Sequence, residues 1–449
     1  MLRRKRPTSA VILLVAAVVF LGSCNAFAKN PCAGSRKGIV VKGSFALRQL
    51  AYQNRTVDSS PQRVCERIHR LAGVARQKEE ALLGRPSVYV DISSTVAHYQ
   101  GEVVMVTGAA GSMGRTLSRY LAECAPARIL FIYKDTAALQ DLAAKLRAEY
   151  PGVPLVFLPY DTADRNAMAH IFQRYKPSSL FHAAANKYND KLEDPDFQIE
   201  GATSNIAGTN VLATLAIEHG VKDFVFFSSD KAVSPSTFYA ASKRAGEMMM
   251  ASYAGRGPKF ITVRPANFLG SDGSVVPIIE DQISSGQPLT VTNGNTNPRR
   301  YFISIPEAAM AAMYAGATGY DGEVFIASFG DEVRISDLIQ RIVAYHRAEG
   351  HVRYRYVAPR IGDLPDQPLI DAGDKKIAQD RGGVQVIPRK KLSAPTAGHI
   401  ENFLREIAEG VAAGDPGIVW RALCALIPEY AAQQAQASAV RLPIALDAV

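Results

Sequence analysis

A tyrosine and a lysine at four-residue spacing are the first candidates for chemistry in this chain. Tyr239 and Lys243 would lie on the same side of a helix, because residues four apart are neighbours on a helical surface. A nearby ammonium group lowers the pKa of a phenol, so Tyr239 could act as a general base near neutral pH. Ser229 precedes Tyr239 by ten residues and supplies a hydroxyl partner for the pair.

A carboxylic acid and an amine, Asp230 and Lys231, follow Ser229 directly. Burial raises the pKa of a carboxylic acid and lowers that of an amine, so such a pair can serve as an acid and a base. Each residue also has a plain structural interpretation. Asp230 could cap a helix, and Lys231 could be a surface lysine.

The elements that must position these residues follow an alternating pattern that begins at Glu102. Short apolar segments alternate with amphipathic stretches, which is typical of βαβ units. We predict an α/β fold: a Rossmann-type doubly wound parallel sheet with a smaller C-terminal substrate-binding part. The predicted strands cover residues 103–106, 128–133, 155–158, 180–182, 224–227 and 260–263, and later helices are expected around 336–348 and 399–412.

A glycine-rich turn from Thr107 to Gly114 follows the first predicted strand and precedes a helical stretch. Its glycines allow the backbone to approach a pyrophosphate, whose charge is stabilised at the helix N-terminus. A P-loop is excluded because no Gly-Lys-Ser/Thr follows, so the turn predicts a dinucleotide site. The predicted cofactor-binding residues are Gly108, Gly111, Ser112, Met113, Gly114, Lys134, Asp161, Ala183, Tyr239 and Lys243.

The end of the second predicted strand, Tyr133-Lys134-Asp135, bears on the choice of cofactor. An acid there accepts a hydrogen bond from the ribose 2′-hydroxyl of NAD, whereas a cation suits the 2′-phosphate of NADP. We therefore expect NADP or NAD, with Lys134 favouring NADP. Asp161, after the third strand, could contact the adenine edge or be an exposed loop acid.

In combination, these motifs resemble the extended short-chain dehydrogenase/reductase superfamily. They resemble most closely the nucleotide-sugar 4,6-dehydratases of capsule, O-antigen and flagellin-glycan synthesis. The resemblance runs from about Leu82 to Leu338. Its further motifs read LGRP from Leu83, HAAANK from His182, FFSSDKAVSP from Phe226, ASKR from Ala241, NFLGSDGSVVP from Asn267 and RYFISIPEA from Arg300.

The resemblance implies NAD(P)-dependent dehydration of a UDP-N-acetylhexosamine, UDP-N-acetylglucosamine first, to a 4-keto-6-deoxy sugar for surface polysaccharide. It implies that Tyr239 takes the proton of the sugar 4-hydroxyl while hydride leaves C4. Lys231 would then remove the C5 proton, Asp230 would protonate the departing C6 hydroxyl, and hydride would return to C6. The implied catalytic residues are Ser229, Asp230, Lys231, Tyr239 and Lys243, the implied substrate residues are Lys187, Asn267, Arg299 and Arg300, and no metal is expected.

Three positions depart from the family's pattern. Ala110 stands where the first turn usually has Gly, Tyr133-Lys134 where the second strand usually ends in Asp-Arg, and Ala266 where a Gly usually precedes Asn267. The choice of cofactor, the fit of the substrate and the stereochemistry at C5 therefore stay open.

Two other functions remain open at this stage. A nucleotide-sugar 4-epimerase or keto-reductase would use Tyr239 and Lys243 but would not need the Asp230-Lys231 pair. A non-catalytic NAD(P)-binding scaffold would tolerate the departures at Ala110, Tyr133 and Ala266. The presence of the pair favours the dehydratase.

The positive charge is concentrated at the N-terminus. Residues 1–92 hold 16 of the 51 Lys and Arg residues but 5 of the 42 Asp and Glu residues. A nucleic-acid enzyme would carry basic charge on its folded body, so this distribution argues against nucleic acid and favours an anionic membrane surface. The first 28 residues combine a basic start with an apolar stretch, and they could be a signal peptide, a membrane anchor over residues 10–28 or the product of a start assigned too early.

The expected organisation has five parts, with 1–28 as the apolar segment and 29–97 as a basic, mostly helical linker. Residues 98–265 would form the NAD(P)-binding domain, 266–395 an interleaved substrate-binding part, and 396–449 C-terminal helices and a tail. Because UDP-sugars and NAD(P) are cytoplasmic metabolites, we expect the folded part to face the cytoplasm. We also expect a homo-oligomer, with possible membrane association through the N-terminus.

Overall fold

The structure, a computed structural model, describes residues 60–187, 189–292, 297–358, 364–388 and 396–440, without the side chains of 189, 190 and 436–440. The apolar segment 1–28 and the first half of the predicted linker lie outside these ranges. Among the described residues, no helix combines the length and apolar character needed to cross a membrane.

The strands lie in the order that a doubly wound sheet requires. In chain order they are β1 Val103–Thr107, β2 Arg128–Ile132, β3 Leu155–Leu158, β4 Ser179–His182, β5 Asp223–Phe227, β6 Lys259–Pro265, β7 Asn267–Leu269, β8 Leu289–Thr292, β9 Arg299–Arg300, β10 Phe302–Ser304, β11 Val324–Ala327, β12 Val333–Arg334, β13 Tyr354–Val357, β14 Gln379–Arg381 and β15 Val384–Ile387. The main sheet has the order β14-β15-β11-β6-β5-β4-β1-β2-β3.

Every strand from β3 to β11 in this order runs parallel to its neighbours, and β15 and β14 add an antiparallel edge. The six predicted strands are confirmed as β1 to β6. The remaining strands form two-stranded sheets, in which β7 pairs with β10, β9 with β12 and β8 with β13. The α/β prediction is therefore confirmed.

The helices cover both faces of the sheet. They are α1 Pro61–Ala72, α2 Arg76–Leu83, α3 Ser93–Tyr99, α4 Ser112–Glu123, α5 Thr136–Glu149, α6 Arg165–Tyr175, α7 Asn189–Leu192, α8 Pro195–Ala202, α9 Gly208–Glu218, α10 Phe238–Tyr253, α11 Val275–Ser284, α12 Ile305–Thr318, α13 Ile335–Tyr345, α14 Ala397–Ala413, α15 Pro416–Leu426 and α16 Pro428–Val440. A π-helical turn, Thr203–Ala207, joins α8 to α9. Helices α13 and α14 confirm the two later helices that the sequence predicts.

Side-chain caps fix where the helices around the cleft begin. Asp135 accepts a hydrogen bond from the Ala138 N–H at 3.0 Å, which starts α5 directly after β2. Thr237 Oγ1 accepts one from the Ala240 N–H at 3.2 Å, which starts α10 two residues before Tyr239. Each cap satisfies a backbone donor that the helix itself leaves without a partner.

Alternate residues of the central strands pack into two separate apolar layers. Val104 and Val106 of β1 lie in the layer that contains α12, whereas Met105 lies in the layer with α9 and α10. This alternation is expected of a strand whose two faces are both covered by helices.

Residues 60–99 are packed into the folded body, so the prediction of a linker is wrong for this stretch. Val64 and Ile68 of α1 are fully buried in the layer with α12, and the Tyr99 hydroxyl donates to the Met313 carbonyl at 2.7 Å. Arg85 forms an ion pair of 2.7 Å with the buried Glu307. Helical spacing in the sequence indicates an apolar stripe, but it does not indicate which surface covers that stripe.

Candidate active site

A cleft of about 560 Å³ opens at the carboxyl ends of the parallel strands. In open α/β sheets, this edge is where ligands bind. The structure brings all ten residues predicted to bind the cofactor to the wall of this one cleft: Gly108, Gly111, Ser112, Met113, Gly114, Lys134, Asp161, Ala183, Tyr239 and Lys243. Lys187 also lines it.

The glycine-rich turn leaves room for an extended ligand to approach the backbone. Gly108 has φ of 68°, and a Cβ at this position would lie 2.6 Å from the backbone of Ala183. The turn therefore requires glycine both for its conformation and for its contact with the segment after β4. Helix α4 begins at Ser112, so its free N–H groups face the cleft, as a dinucleotide pyrophosphate would require.

The two acids that the sequence places near the adenosine end are engaged in local turns. Asp135 caps α5, and Asp161 Oδ1 accepts a hydrogen bond from the Ala163 N–H at 2.9 Å. Lys134 Nζ lies 2.8 Å from Glu200 Oε1, and both side chains line the cleft. Glu200 was not among the predicted residues, because it lies far away in the sequence, on α8.

Tyr239 and Lys243 lie on the same side of α10, facing the cleft. Lys243 Nζ donates to the Phe227 carbonyl at 2.7 Å and lies 4.9 Å from the centre of the Phe226 ring. Burial lowers the pKa of Lys243 to about 7, although the nearby Glu247 carboxylate opposes this shift.

The expectation that Lys243 lowers the pKa of Tyr239 does not hold in this structure. Burial raises the pKa of the Tyr239 phenol, the charge of Asp230 raises it further, and a hydrogen bond with Ser229 acts in the opposite direction. The physical reason is that the Lys243 ammonium is directed to the Phe227 carbonyl. The phenol is therefore protonated at neutral pH in the free protein.

Asp230, Lys231 and Asn267 form a closed triangle of polar contacts. Lys231 Nζ lies 3.3 Å from Asp230 Oδ1 and donates to Asn267 Oδ1 at 3.0 Å. The Asn267 amide donates to Asp230 Oδ2 at 2.6 Å. Ser229 Oγ donates to Asp230 Oδ1 at 2.8 Å and also hydrogen-bonds with Tyr239, so the triangle is joined to the tyrosine.

The acid of this triangle is buried, whereas the amine is partly open to solvent. Asp230 is 3% exposed, and the Lys231 side chain is 27% exposed. Asp230 also begins a 3₁₀ turn, Asp230–Ala232, with Ser229 as its cap. Ser229, and not Asp230, is therefore the residue that caps this turn.

A buried ion pair supports α10 from behind. Arg264 of β6 donates to both carboxylate oxygens of Glu247, at 2.9 and 2.7 Å, and Ser228 Oγ donates to the same group at 2.6 Å. Burial alone would raise the pKa of Glu247, but the charge of Arg264 and these hydrogen bonds hold it below its usual value. Glu247 lies one turn after Lys243, so this pair fixes the helix turn that carries the lysine.

Asn205, in the π-helical turn, positions the segment after β4. Its side chain accepts from the Asn186 N–H at 2.7 Å and donates to the Asn186 carbonyl at 2.9 Å and to Ser242 Oγ at 3.1 Å. The sequence analysis missed Asn205. No local signal singles it out, because Thr203, Ser204, Thr209 and Asn210 make the same helical segment polar at several positions.

The predicted substrate residues divide into two groups. Lys187 lies in the cleft and donates to the Asp272 carbonyl at 3.1 Å, while Asn267 contacts the candidate acid and base. Arg299 and Arg300 do not line the cleft. The Arg300 guanidinium donates to the carbonyls of Leu364 and Pro365, at 2.6 and 3.0 Å, so in this structure it holds the chain after β13.

Comparison with known proteins identifies the family. A family model described as polysaccharide biosynthesis protein matches residues 104–388. The chain belongs to this family. The match covers the glycine-rich turn, the Asp230-Lys231 pair and Tyr239, and it extends through the last strand of the main sheet.

Three individual relatives differ in the function that their names give. The chain is 36% identical over 279 residues to the probable polysaccharide biosynthesis protein EpsC of Bacillus subtilis, covering 61% of this chain and 46% of the relative. It therefore spans about half of that protein's length. It is 25% identical to a UDP-N-acetylglucosamine 4,6-dehydratase (inverting) of Campylobacter jejuni, covering 62% and 80%, and 25% identical to a UDP-glucose 4-epimerase of Rickettsia akari, covering 64% and 83%.

Solved structures agree on the fold. Pen from Bacillus thuringiensis superposes with a TM-score of 0.60 at 24% identity, covering 67% of this chain and 93% of that one. DesIV of Streptomyces venezuelae, a dTDP-glucose 4,6-dehydratase, superposes with a TM-score of 0.54 at 21% identity, covering 61% and 90%. At these identities the comparison shows a shared fold.

Proposed function

We propose that this chain is an NAD(P)-dependent nucleotide-sugar 4,6-dehydratase that converts a UDP-N-acetylhexosamine, UDP-N-acetylglucosamine first, to a 4-keto-6-deoxy sugar. The observation that carries the proposal is the Asp230-Lys231-Asn267 triangle beside Tyr239. Elimination of water across C5 and C6 needs one group that removes a proton and one that donates a proton. A simple oxidation or reduction at C4 needs only one such group, Tyr239, and leaves no step for a second acid-base pair.

The cleft fits a dinucleotide, because the glycine-rich turn, the start of α4 and the Tyr239-Lys243 pair lie along one wall. When bound there, the cofactor would accept a hydride from the sugar and return it. The chain's own residues hold the cofactor. The N–H groups at the start of α4 would bind the pyrophosphate, and Lys243 would bind a ribose hydroxyl.

Tyr239 acts at C4, where it takes the proton of the 4-hydroxyl. Its pKa is raised in the free protein, so the phenolate must be stabilised in the ternary complex. Lys243 supplies positive charge from the next turn of the same helix, and the Ser229 hydroxyl can donate to the phenolate oxygen.

Lys231 and Asp230 act at C5 and C6. The C5–H bond breaks toward the amine of Lys231, the C6–O bond breaks as Asp230 gives its proton to the hydroxyl, and a C5–C6 double bond and water result. The reaction therefore begins with a neutral amine and a protonated acid. The two side chains lie 3.3 Å apart, so the proton that the amine gains can return to the acid after each turnover.

A nucleotide-sugar 4-epimerase is the second candidate function. It is favoured by the similarity to the epimerase of Rickettsia akari, and it would use Tyr239 and Lys243 alone. An epimerase reaction would give the Asp230-Lys231-Asn267 triangle no chemical role. The homo-oligomer, the cytoplasmic location and an N-terminal anchor stay predictions.

A proton NMR time course of the full chain with UDP-N-acetylglucosamine and catalytic amounts of NAD⁺ and NADP⁺ tests the proposal. We expect a new C6 methyl signal and no net reduced cofactor. Formation of only the 4-epimer would establish the second candidate instead. An unchanged spectrum, with cofactor shown to be bound, would contradict the choice of sugar and the catalytic proposal.

A further inference from the structure

Lys134, the residue that the sequence analysis associated with NADP, is already paired with an acid at the rim of the cleft. Its Nζ lies 2.8 Å from Glu200 Oε1, and the two side chains are 55% and 50% exposed. Both line the cleft, so a bound dinucleotide would meet the pair and not an isolated cation.

Glu200 is held at this place by the packing of α8. Asp194 caps the helix by accepting from the Asp196 N–H at 3.1 Å. At Gly201, next to Glu200, an added Cβ would lie 2.7 Å from Leu192 and 2.8 Å from Phe238, so the helix is in close contact with its neighbours. The carboxylate therefore projects from a firmly packed element toward the end of β2.

Other charged residues that line the cleft include the acids Asp135 and Asp161 and the cations Arg115 and Lys191. The hydrogen bond that Lys134 donates to Glu200 raises the pKa of Lys134, and the charge of Asp161 raises it further. The ammonium therefore interacts with two carboxylates, those of Glu200 and Asp161.

The two cofactors would meet this environment differently. A phosphate monoester carries a charge of about −2 at neutral pH, so a 2′-phosphate would have to displace Glu200 from Lys134 and then lie beside the released carboxylate. A free 2′-hydroxyl can instead donate a hydrogen bond to a carboxylate without breaking the pair.

We infer that Glu200 is a specificity-determining residue, which neutralises Lys134 and makes the cleft select a dinucleotide with a free 2′-hydroxyl, NAD, over NADP. The inference rests on the proposed function, because it concerns the same cleft. It reverses the preference for NADP that Lys134 alone suggests, and it depends on a partner that lies 66 residues away in the sequence.

The test is calorimetric titration of the full chain with NAD⁺ and with NADP⁺, without sugar substrate. The wild-type chain should bind NAD⁺ more tightly. In Glu200→Gln, the ratio of the NADP⁺ Kd to the NAD⁺ Kd should fall by about tenfold, the effect of removing one nearby like charge. In the double variant, Glu200→Gln with Lys134→Gln, this ratio should not fall below the wild-type ratio. The ammonium that would bind the 2′-phosphate is absent from that variant.

Glu218→Gln is the matched control, since Glu218 forms a similarly exposed ion pair with Arg165 on other helices. It should leave the ratio unchanged. A wild-type chain that binds NADP⁺ more tightly, or a Glu200→Gln ratio equal to that of wild type, would overturn the inference while leaving the dehydratase proposal intact. Binding of neither cofactor would overturn both.

Discussion

Lys231 Nζ lies 3.3 Å from Asp230 Oδ1, and the Asn267 side chain contacts both groups. Groups this close can exchange a proton, so in the proposed dehydration they would act together as one acid-base unit. Elimination would leave the amine with one proton more and the acid with one proton fewer, and return of that proton would reset the pair for the next turnover.

Replacement of Lys231 should separate the two halves of the reaction. In Lys231→Met, removal of the C5 proton is lost, so formation of the C6 methyl product should fall by about 10²- to 10⁴-fold. Oxidation at C4 depends on Tyr239, so reduced nicotinamide should accumulate toward one equivalent per site. The near-ultraviolet absorbance of the reduced cofactor measures this directly.

Lys145→Met is the control, because Lys145 forms an exposed ion pair with Asp141 within α5. It should leave both signals at wild-type values. A Lys231→Met protein that makes product at the wild-type rate would exclude Lys231 as the base.

Binding of the cofactor should depend on the charge of Lys243. Its pKa is lowered to about 7, so the ammonium is present below that pH and is lost above it. A bound ribose hydroxyl favours the charged form, so NAD⁺ affinity should decline as pH rises through a midpoint at or above about 7. Calorimetric titrations across this range measure the decline.

Lys243→Met provides the comparison. It should bind NAD⁺ more weakly at low pH and lose this part of the pH dependence. If the wild-type and Lys243→Met affinities change with pH in parallel, Lys243 is not the group responsible.

The contact between Arg85 and Glu307 should contribute strongly to stability. Glu307 is fully buried, and Arg85 donates to both of its carboxylate oxygens, at 2.7 and 3.1 Å. Arg85→Met would leave a buried carboxylate without its cation, so the free energy of unfolding should fall by about 3–5 kcal/mol. Urea unfolding followed by circular dichroism gives this value.

Arg76→Met serves as the exposed counterpart, because Arg76 and Glu80 pair on the surface of α2. Its effect should be much smaller, because both groups of this pair stay solvated. Equal effects of the two substitutions would mean that residues 60–99 are not integral to the fold.

Loss of the Glu247 charge should affect both stability and chemistry. Glu247→Gln leaves the fully buried Arg264 without its counter-ion, with an expected loss of about 3–5 kcal/mol in unfolding free energy. The Glu247 charge also raises the pKa of Lys243, against the effect of burial. Its removal should therefore lower that pKa further and move the pH midpoint of NAD⁺ binding to a lower value. The shift in midpoint separates an effect on Lys243 from a loss of stability alone.

Glu149→Gln is the comparison for this pair, because Glu149 binds Arg119 at a half-exposed surface. We expect a change under about 1 kcal/mol and an unaltered midpoint. A Glu247→Gln protein with the wild-type midpoint would contradict the electrostatic link to Lys243.

Local sequence signals predicted much of the sheet and of the cleft wall. A short apolar segment such as 155–158 predicts a strand. The glycine spacing around Gly108 predicts a tight turn between a strand and a helix. Long-range ion pairs could not be predicted in this way. Glu200 reads as an ordinary helix residue and Arg264 as an interruption of a strand, since only the folded chain brings each to its partner.

The most direct test of the central claim follows a deuterium atom from C4 of UDP-N-acetylglucosamine. If the chain is a 4,6-dehydratase, hydride that leaves C4 returns to C6 of the same sugar. NMR and mass spectrometry of the product should then show a methyl group that carries one deuterium. Deuterium retained at C4 of an epimer, or a C6 methyl group without the label, would contradict the account.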